Sequence, residues 1–402
     1  MRKAKNIGMI FTRLIAKSMS WLRGLRQLSL LAVMLVAASA ALAGEYLMYV
    51  GTYTGKGSEG IYAYRFDPAT GKTKSVGLAA KTDNPSFLAV DPSGRFLYAV
   101  NELDTYANQP TGAISAFAID RVSGRLKLLQ QVSSLGADPA HLSLDKSARH
   151  LLVANYNGGN VAVFPVGNDG RLGKRTAFVQ DAGASVNPER QAGPHAHSIQ
   201  LSNDNRYAIT ADLGIDKLLV HRFDADTGFL TPASPEFVAV APGAGPRHVA
   251  FAPSGKVVYV VNELANTVAV FAYDPGAGTL HLIQTNPTLP KKFAGKKNTA
   301  AEIALDAKGR YLYVSNRGHD SIAVFSVNPG NGKLKSAHWV SSGGRTPRHF
   351  AIDPTGKWLI AANQDSNDIK LFRINQRSGR LKPMSQSLKI GSPVCVVFVP
   401  SE

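Results

Sequence analysis

"PRHVAFAPSGK" (246–256) returns almost unchanged as "PRHFAIDPTGK" (347–357). In each copy Pro-Arg-His leads into a short apolar run, which ends in a Pro-x-Gly-Lys turn. Four looser copies of the run and its turn stand elsewhere: "FLAVDPSGR", "HLSLDKSAR", "SIQLSNDNR" and "EIALDAKGR". A second phrase follows every one of them, an apolar strand ending in Asn or Asp: "LYAVNE", "LLVANY", "AITADL", "VYVVNE", "LYVSNR" and "LIAANQ". A third phrase is an alternating strand such as "VAVF" followed by a glycine turn, as in "RVSGR" or "PGNGK".

The residue opening the first phrase serves as a marker for counting. The markers are Phe87, His141, Ser198, His248, Glu302 and His349, and the Asn or Asp lies 14 residues after each. A seventh copy is split between the chain ends. "SPVCVVFVP" supplies its first strand, with Cys395 at the marker, and "YLMYVGTY" supplies its second, with Thr52 in the Asn position. Units of this length with three clear strands and a weaker fourth fit propeller blades, and a blade shared by the two termini closes the ring without an exposed sheet edge. Period-2 alternation, with little at a helical period, predicts an all-β chain. The expected fold is a single seven-bladed β-propeller over 44–402, with the N-terminal strand pairing with the C-terminal one.

Residues 1–43 differ from the rest. Seven Lys or Arg and no acid precede the run "LSLLAVMLVAASAALA", which ends on the small-x-small pattern Ala41-Leu42-Ala43. This reads as a secretory signal peptide cleaved near Ala43, with a periplasmic or secreted product; the run is short and Ala-rich for a membrane anchor. Translation from Met19 is an alternative start. Removing the leader takes the formal charge from +17 to +10, which favours anionic small molecules. The Lys and Arg residues are scattered through turns without interleaved aromatics, so nucleic-acid binding is not expected. Cys395 is the sole cysteine, which excludes an internal disulfide, and a monomer is expected.

The turns need Gly or Asn for positive φ and a proline for the bend, so they carry no function. The opposite ends of the strands behave differently. The markers vary, the residue before the marker includes His197, Arg247 and Arg348, and the residue after the Asn includes Glu102, Glu263 and Arg317. Rings that vary on a repeating framework point to a binding site at the channel mouth.

Taken together, "YVGTYT", "GPHAHS", "GPRH", "VNEL", "NTAAEI", "SNRGHDSIAVF" and "PRHFAIDPTGKWLIAANQDS" resemble the seven-bladed propeller lactonase family. That family holds propeller-type 6-phosphogluconolactonases and carboxymuconate-lactonizing enzymes. The resemblance implies that His195, His197, Arg247, His248, Glu263, Glu302 and Arg317 line an active site, and that a sugar-acid lactone is opened without a cofactor or required metal.

Lactone hydrolysis needs a base for water, a cation at the oxyanion and an acid for the leaving alkoxide. His248, Glu302, Arg247, Glu263 and His197 form the candidate catalytic set, with Glu302 or His248 as base. His195 and His197 are assigned as acid or orienting groups, and Arg247 and Arg317 as oxyanion or substrate-anion partners. His195, Arg317, Asn316, Asn262, His141, Arg348 and His349 form the candidate substrate-binding set. Against this stand packing readings: ion pairs of Arg247 with Glu263 and of Arg317 with Glu302, His141 bonded to a loop carbonyl, and a buried Cys395. Arg348 and His349 rank second, for want of an acid at their own hairpin. The Lys-rich "LPKKFAGKKNTAAEI" reads as a solvated run or a recruiter of anions. Two other functions stay open, a muconate-type lactonizing cycloisomerase and a non-catalytic binding propeller.

Overall fold

The computed structural model describes residues 44–401 except 56, 294–296 and 336. The leader and its cleavage point lie outside the described residues, as does part of the Lys-rich segment.

Seven four-stranded antiparallel sheets account for 28 strands. The innermost strands are Leu88–Val90, Pro139–Leu144, Ala196–Leu201, Pro246–Phe251, Thr299–Leu305, Pro347–Ile352 and Pro393–Pro400, and they define blades one to seven. Each innermost strand contacts the next and the last contacts the first, so the ring is closed. Blade seven is the shared one. Pro393–Pro400 pairs antiparallel with Tyr46–Thr52, which continues outward to Gly60–Phe66 and Thr73–Lys81. The expected closure is therefore the observed one. A single 3₁₀ turn, Lys291–Phe293, is the helical element among the described residues.

Burial explains the second phrase. Tyr207–Asp212 and Trp358–Asn363 are buried at every position, because both faces of a second strand pack on neighbouring blades. Alternation is absent there, in keeping with the apolar run of the second phrase, since a strand covered on both sides reads as a continuous apolar run. The core accordingly lies between blades. One apolar cluster joins Tyr207, Ile209 and Val220 of blade three to Val258, Val260 and Phe271 of blade four.

The third-phrase glycines have a second role beyond their turn. Tyr98, Tyr207, Tyr259 and Tyr313 each donate a hydroxyl hydrogen bond to a glycine carbonyl in the outer turn of the next blade, Gly170, Gly276, Gly332 and Gly379 respectively. A Cβ on Gly278, at φ +74°, would stand 2.3 Å from the Tyr207 ring. Close approach of blades thus requires glycine independently of the backbone angle.

The terminal Asn of the second phrase is a structural tie. The side-chain amides of Asn101, Asn155, Asn316 and Asn363 donate to the carbonyls of Asp83, Ser134, Thr288 and Ser342, in the segment that enters each blade. A buried backbone carbonyl needs a donor, and Asn supplies one at a fixed offset. Replacing Asn155 by Ala is expected to cost about 1–3 kcal/mol. Urea unfolding should show a lower midpoint at unchanged slope, and an unchanged midpoint would refute the tie.

Candidate functional site

Six innermost strands carry one local irregularity at the mouth. Pro246 pairs with Asn262 and His248 with Val261, adjacent partners, so Arg247 is an extra residue without a partner in the ladder. The same β-bulge isolates Ala140, His197, Arg348 and Val394 in blades two, three, six and seven. In blade five it spans Ala301 and Glu302. A bulge re-aims the side chain it releases. The variable positions ahead of the markers are therefore the ones freed from sheet geometry.

Three of these residues, Ala140, His197 and Arg348, and residues at the ends of the second strands line a cavity of about 380 Å³. Arg190, Arg317 and Arg348 line it with Glu102, Glu263, Tyr156 and His197. Below it, a pocket of about 10 Å³ is lined by Arg247, His248, Glu302 and His349. Glu102, Ala140 and Arg348 border both spaces, which makes them the junction. The smaller volume is about that of one water molecule.

Glu263 is the ionic centre. Its Oε2 accepts from Arg247 Nε at 3.0 Å and faces Arg317 Nη2 at 2.9 Å, and its Oε1 accepts from Arg190 Nη2 at 2.9 Å. Burial alone would raise its pKa, but Arg317, Arg247 and Arg190 pull it down to about 2. Such a carboxylate is a poor base and a strong organiser of cations. Burial, with Arg317 and Arg348 nearby, lowers Arg247 to about 9, so it remains cationic at neutral pH.

A second chain runs through the lower pocket. Arg247 Nη1 donates to His248 Nε2 at 3.3 Å; an arginine cannot accept, so the imidazole proton sits on Nδ1 and is donated to Glu302 Oε2 at 3.1 Å. Glu302 Oε2 also lies 3.6 Å from His349 Nε2. Burial raises the Glu302 carboxyl above its usual range and holds His248 well below its own. Both shifts favour the uncharged forms.

Several expectations need correction. Arg317 pairs with Glu263 rather than Glu302; the Glu263 carbonyl accepts the Ala300 N–H, which holds the end of the blade-four second strand against blade five. Arg348 does have an acid, Glu102 of blade one at 3.8 Å, and His349 has Glu302 of blade five. Their own hairpin supplies no acid, as expected, and the partners come across the ring instead. His141 Nδ1 accepts the Ile199 backbone N–H at 3.4 Å instead of meeting a loop carbonyl.

Other candidates stand apart from the cavity. The Asn316 amide is engaged by Thr288 on both sides, and Asn262 donates to Thr267. His195 stacks on the Tyr156 ring, with centroids 4.4 Å apart, and donates from Nδ1 to the Tyr156 carbonyl; it supports Tyr156. Cys395 is fully buried, its Sγ accepts the Leu88 N–H, and burial pushes its thiol up, as expected for packing.

Arg190, Tyr53 and Tyr156 escaped the sequence reading. Arg190 arrives on the connection between blades two and three, which has no counterpart in the repeat. Tyr53 and Tyr156, however, immediately follow Thr52 and Asn155, so the ring that revealed Glu102 and Glu263 could have revealed them. Among the described residues no group of three or more His, Cys, Asp or Glu is placed to hold a metal ion.

Comparison with known proteins decides the family. The model of the family "Lactonase, 7-bladed beta-propeller" matches residues 47–398. The chain belongs to this lactonase family. It is 39% identical over 306 residues to 6-phosphogluconolactonase of Bacillus subtilis, covering 76% of this chain and 84% of that one. Against 6-phosphogluconolactonase of Formosa agariphila it is 35% identical over 310 residues, covering 75% and 85%. The solved structure of a periplasmic gluconolactonase from Pseudomonas aeruginosa superposes with TM-score 0.82 at 38% identity, covering 89% of this chain and all of that one. The lactone-hydrolysing character of the family carries over to this chain.

Replacing Glu263 by Gln leaves buried Arg247 and Arg317 without their carboxylate and is expected to destabilise the fold by about 3–5 kcal/mol. Because the folded pKa lies below the ordinary 4.5, the Glu263 contribution is present above pH 4.5 and is lost as pH falls toward 2. Stability of Glu263→Gln should fall less steeply than wild type across that window. Parallel acid profiles would contradict the assignment.

Proposed function

We propose that the protein hydrolyses a sugar-acid δ-lactone at the channel mouth, with Glu302 as general base. The observation that carries this reading is the water-sized pocket beside Glu302, His248 and Arg247, which shares Glu102, Ala140 and Arg348 with the arginine-lined cavity. Of the two candidate bases, His248 already spends Nε2 on Arg247 and Nδ1 on Glu302, which favours Glu302. Burial raises its proton affinity above that of an ordinary glutamate, which makes it a stronger base than an exposed carboxylate.

The lactone occupies the upper cavity with its carbonyl toward the pocket. Water attacks the carbonyl carbon as its proton passes to Glu302, and Arg247 stabilises the oxyanion. Collapse breaks the bond to the ring oxygen, and Glu302 returns the proton to that oxygen, yielding the open hydroxy acid. Arg317, Arg348 and Arg190 hold an anionic substituent where one is present. His197, whose Nδ1 has no protein partner and whose buried imidazole is held neutral, orients the substrate.

The relatives from Bacillus subtilis and Formosa agariphila are named for a phosphorylated lactone, and the Pseudomonas aeruginosa structure for a periplasmic gluconolactonase. The leader at 1–43 favours the second setting, with cleavage near Ala43 and a monomeric enzyme acting in the periplasm or outside on an unphosphorylated aldonolactone. The clustered arginines also suit a dicarboxylate, which keeps a muconate-type cycloisomerase as the second reading.

The test is steady-state opening of δ-gluconolactone and its 6-phosphate, and ring closure of a muconate, each against the spontaneous rate. Glu302→Gln should lower kcat by about 10²–10⁴-fold. In the wild type, kcat/KM should fall as pH drops through a value above the ordinary 4.5 of a glutamate, since activity needs Glu302 ionised. Full activity of Glu302→Gln, or no reaction of the wild type with either lactone, would overturn the reading.

A further inference from the structure

Three carboxylates reach the mouth, and two have both oxygens engaged. Glu263 binds three arginines. Glu302 accepts His248 on Oε2 and the Ile303 N–H on Oε1. Glu102 differs: Oε1 accepts the Tyr53 hydroxyl at 2.7 Å and lies 3.8 Å from Arg348 Nη2, whereas Oε2 is buried with no hydrogen-bond partner. A buried carboxylate oxygen left unpaired in a native fold asks for a donor that arrives later. Glu102 also borders both the upper cavity and the water-sized pocket, so the donor would belong to whatever spans the two.

The carboxylate is held firmly for such a role. Tyr53 of blade seven bonds it, and Arg348 of blade six lies over the Tyr53 ring, 5.3 Å from its centroid. Three consecutive blades thus fix Oε1, and Oε2 is the oxygen left without a partner. None of these contacts serves the proton transfer assigned to Glu302.

We propose that Glu102 is a specificity-determining residue whose Oε2 accepts a hydrogen bond from a ring hydroxyl of a polyhydroxylated lactone. The inference rests on the lactonase reading above and deepens it by naming the residue that selects for the hydroxyls of that lactone. With the lactone carbonyl at the lower pocket, the hydroxyl on the neighbouring ring carbon is the one that reaches the junction. A dicarboxylate without hydroxyls would set a second negative group against Glu102 and offer it no donor, so the same atom disfavours the muconate-type reading. Sites built to bond a substrate hydroxyl discriminate strongly against analogues lacking it, because the buried polar group is then left unpaired.

The experiment compares kcat and KM for δ-gluconolactone and the hydroxyl-free δ-valerolactone in wild type, Glu102→Gln and Tyr53→Phe, after thermal unfolding has shown which variants are folded. Glu102→Gln puts an amide in place of the carboxylate and should lower the ratio of kcat/KM for gluconolactone over valerolactone by about tenfold or more. Most of that loss should appear in KM for gluconolactone. Tyr53→Phe loosens the carboxylate without removing it and should lower the ratio less; it also serves if Glu102→Gln does not fold. An active wild type whose ratio stays within about twofold in the folded variants overturns this inference alone. A wild type that opens neither lactone overturns the proposed activity and this inference together.

Discussion

One extra residue at the mouth end of an inner strand is the constraint on which the site depends. A propeller strand must present its backbone to the next strand of its blade, and that register dictates where every side chain points. The bulge suspends this rule at a single position in blades two, three, four, six and seven, and over two residues in blade five. Arg247, His197, Arg348 and Glu302 occupy such positions. The framework remains periodic because the freed residue is not part of the ladder, and chemistry varies there without disturbing the blades.

Electrostatics then organises what the bulges bring together. Four arginines around one mouth repel one another, and Glu263 draws three of them to a common point while Glu102 takes the fourth. Arg247 joins this cationic network to the Glu302–His248 pair, whose members burial favours in uncharged form. The result places an arginine-lined wall beside a buried carboxylate–imidazole pair. Removing Glu263 would damage both layers, although it has no assigned step in the reaction.

Much of this was legible in the sequence, and the remainder was hidden for physical reasons. The blade count, the split blade and the mouth position of His197, Arg247, His248, Glu263 and Glu302 followed from three phrases at fixed spacing, since repetition records local geometry. Pairing across the ring does not leave such a record. Arg317 bonds Glu263, Arg348 meets Glu102, and His349 meets Glu302, all through the curvature of seven blades rather than through spacing. The repeated Asn is a substrate-binding candidate at Asn262 and Asn316 in the sequence; at Asn316 the repetition marks a structural duty, since it makes the same tie to the entering carbonyl as Asn101, Asn155 and Asn363, whereas Asn262 donates to Thr267 instead. Arg190 lay on an unrepeated connection and carried no signal of that kind.

The account places a lactone across the junction of the two spaces at the bulged end of the channel. A crystal structure of the Glu302→Gln protein soaked with δ-gluconolactone tests this most directly. The account predicts the carbonyl carbon beside Gln at position 302 and Arg247, with the ring in the cavity bounded by Arg317, Arg348 and Glu102. Density for the lactone at the opposite end of the channel, or a carbonyl turned away from the lower pocket, would contradict it.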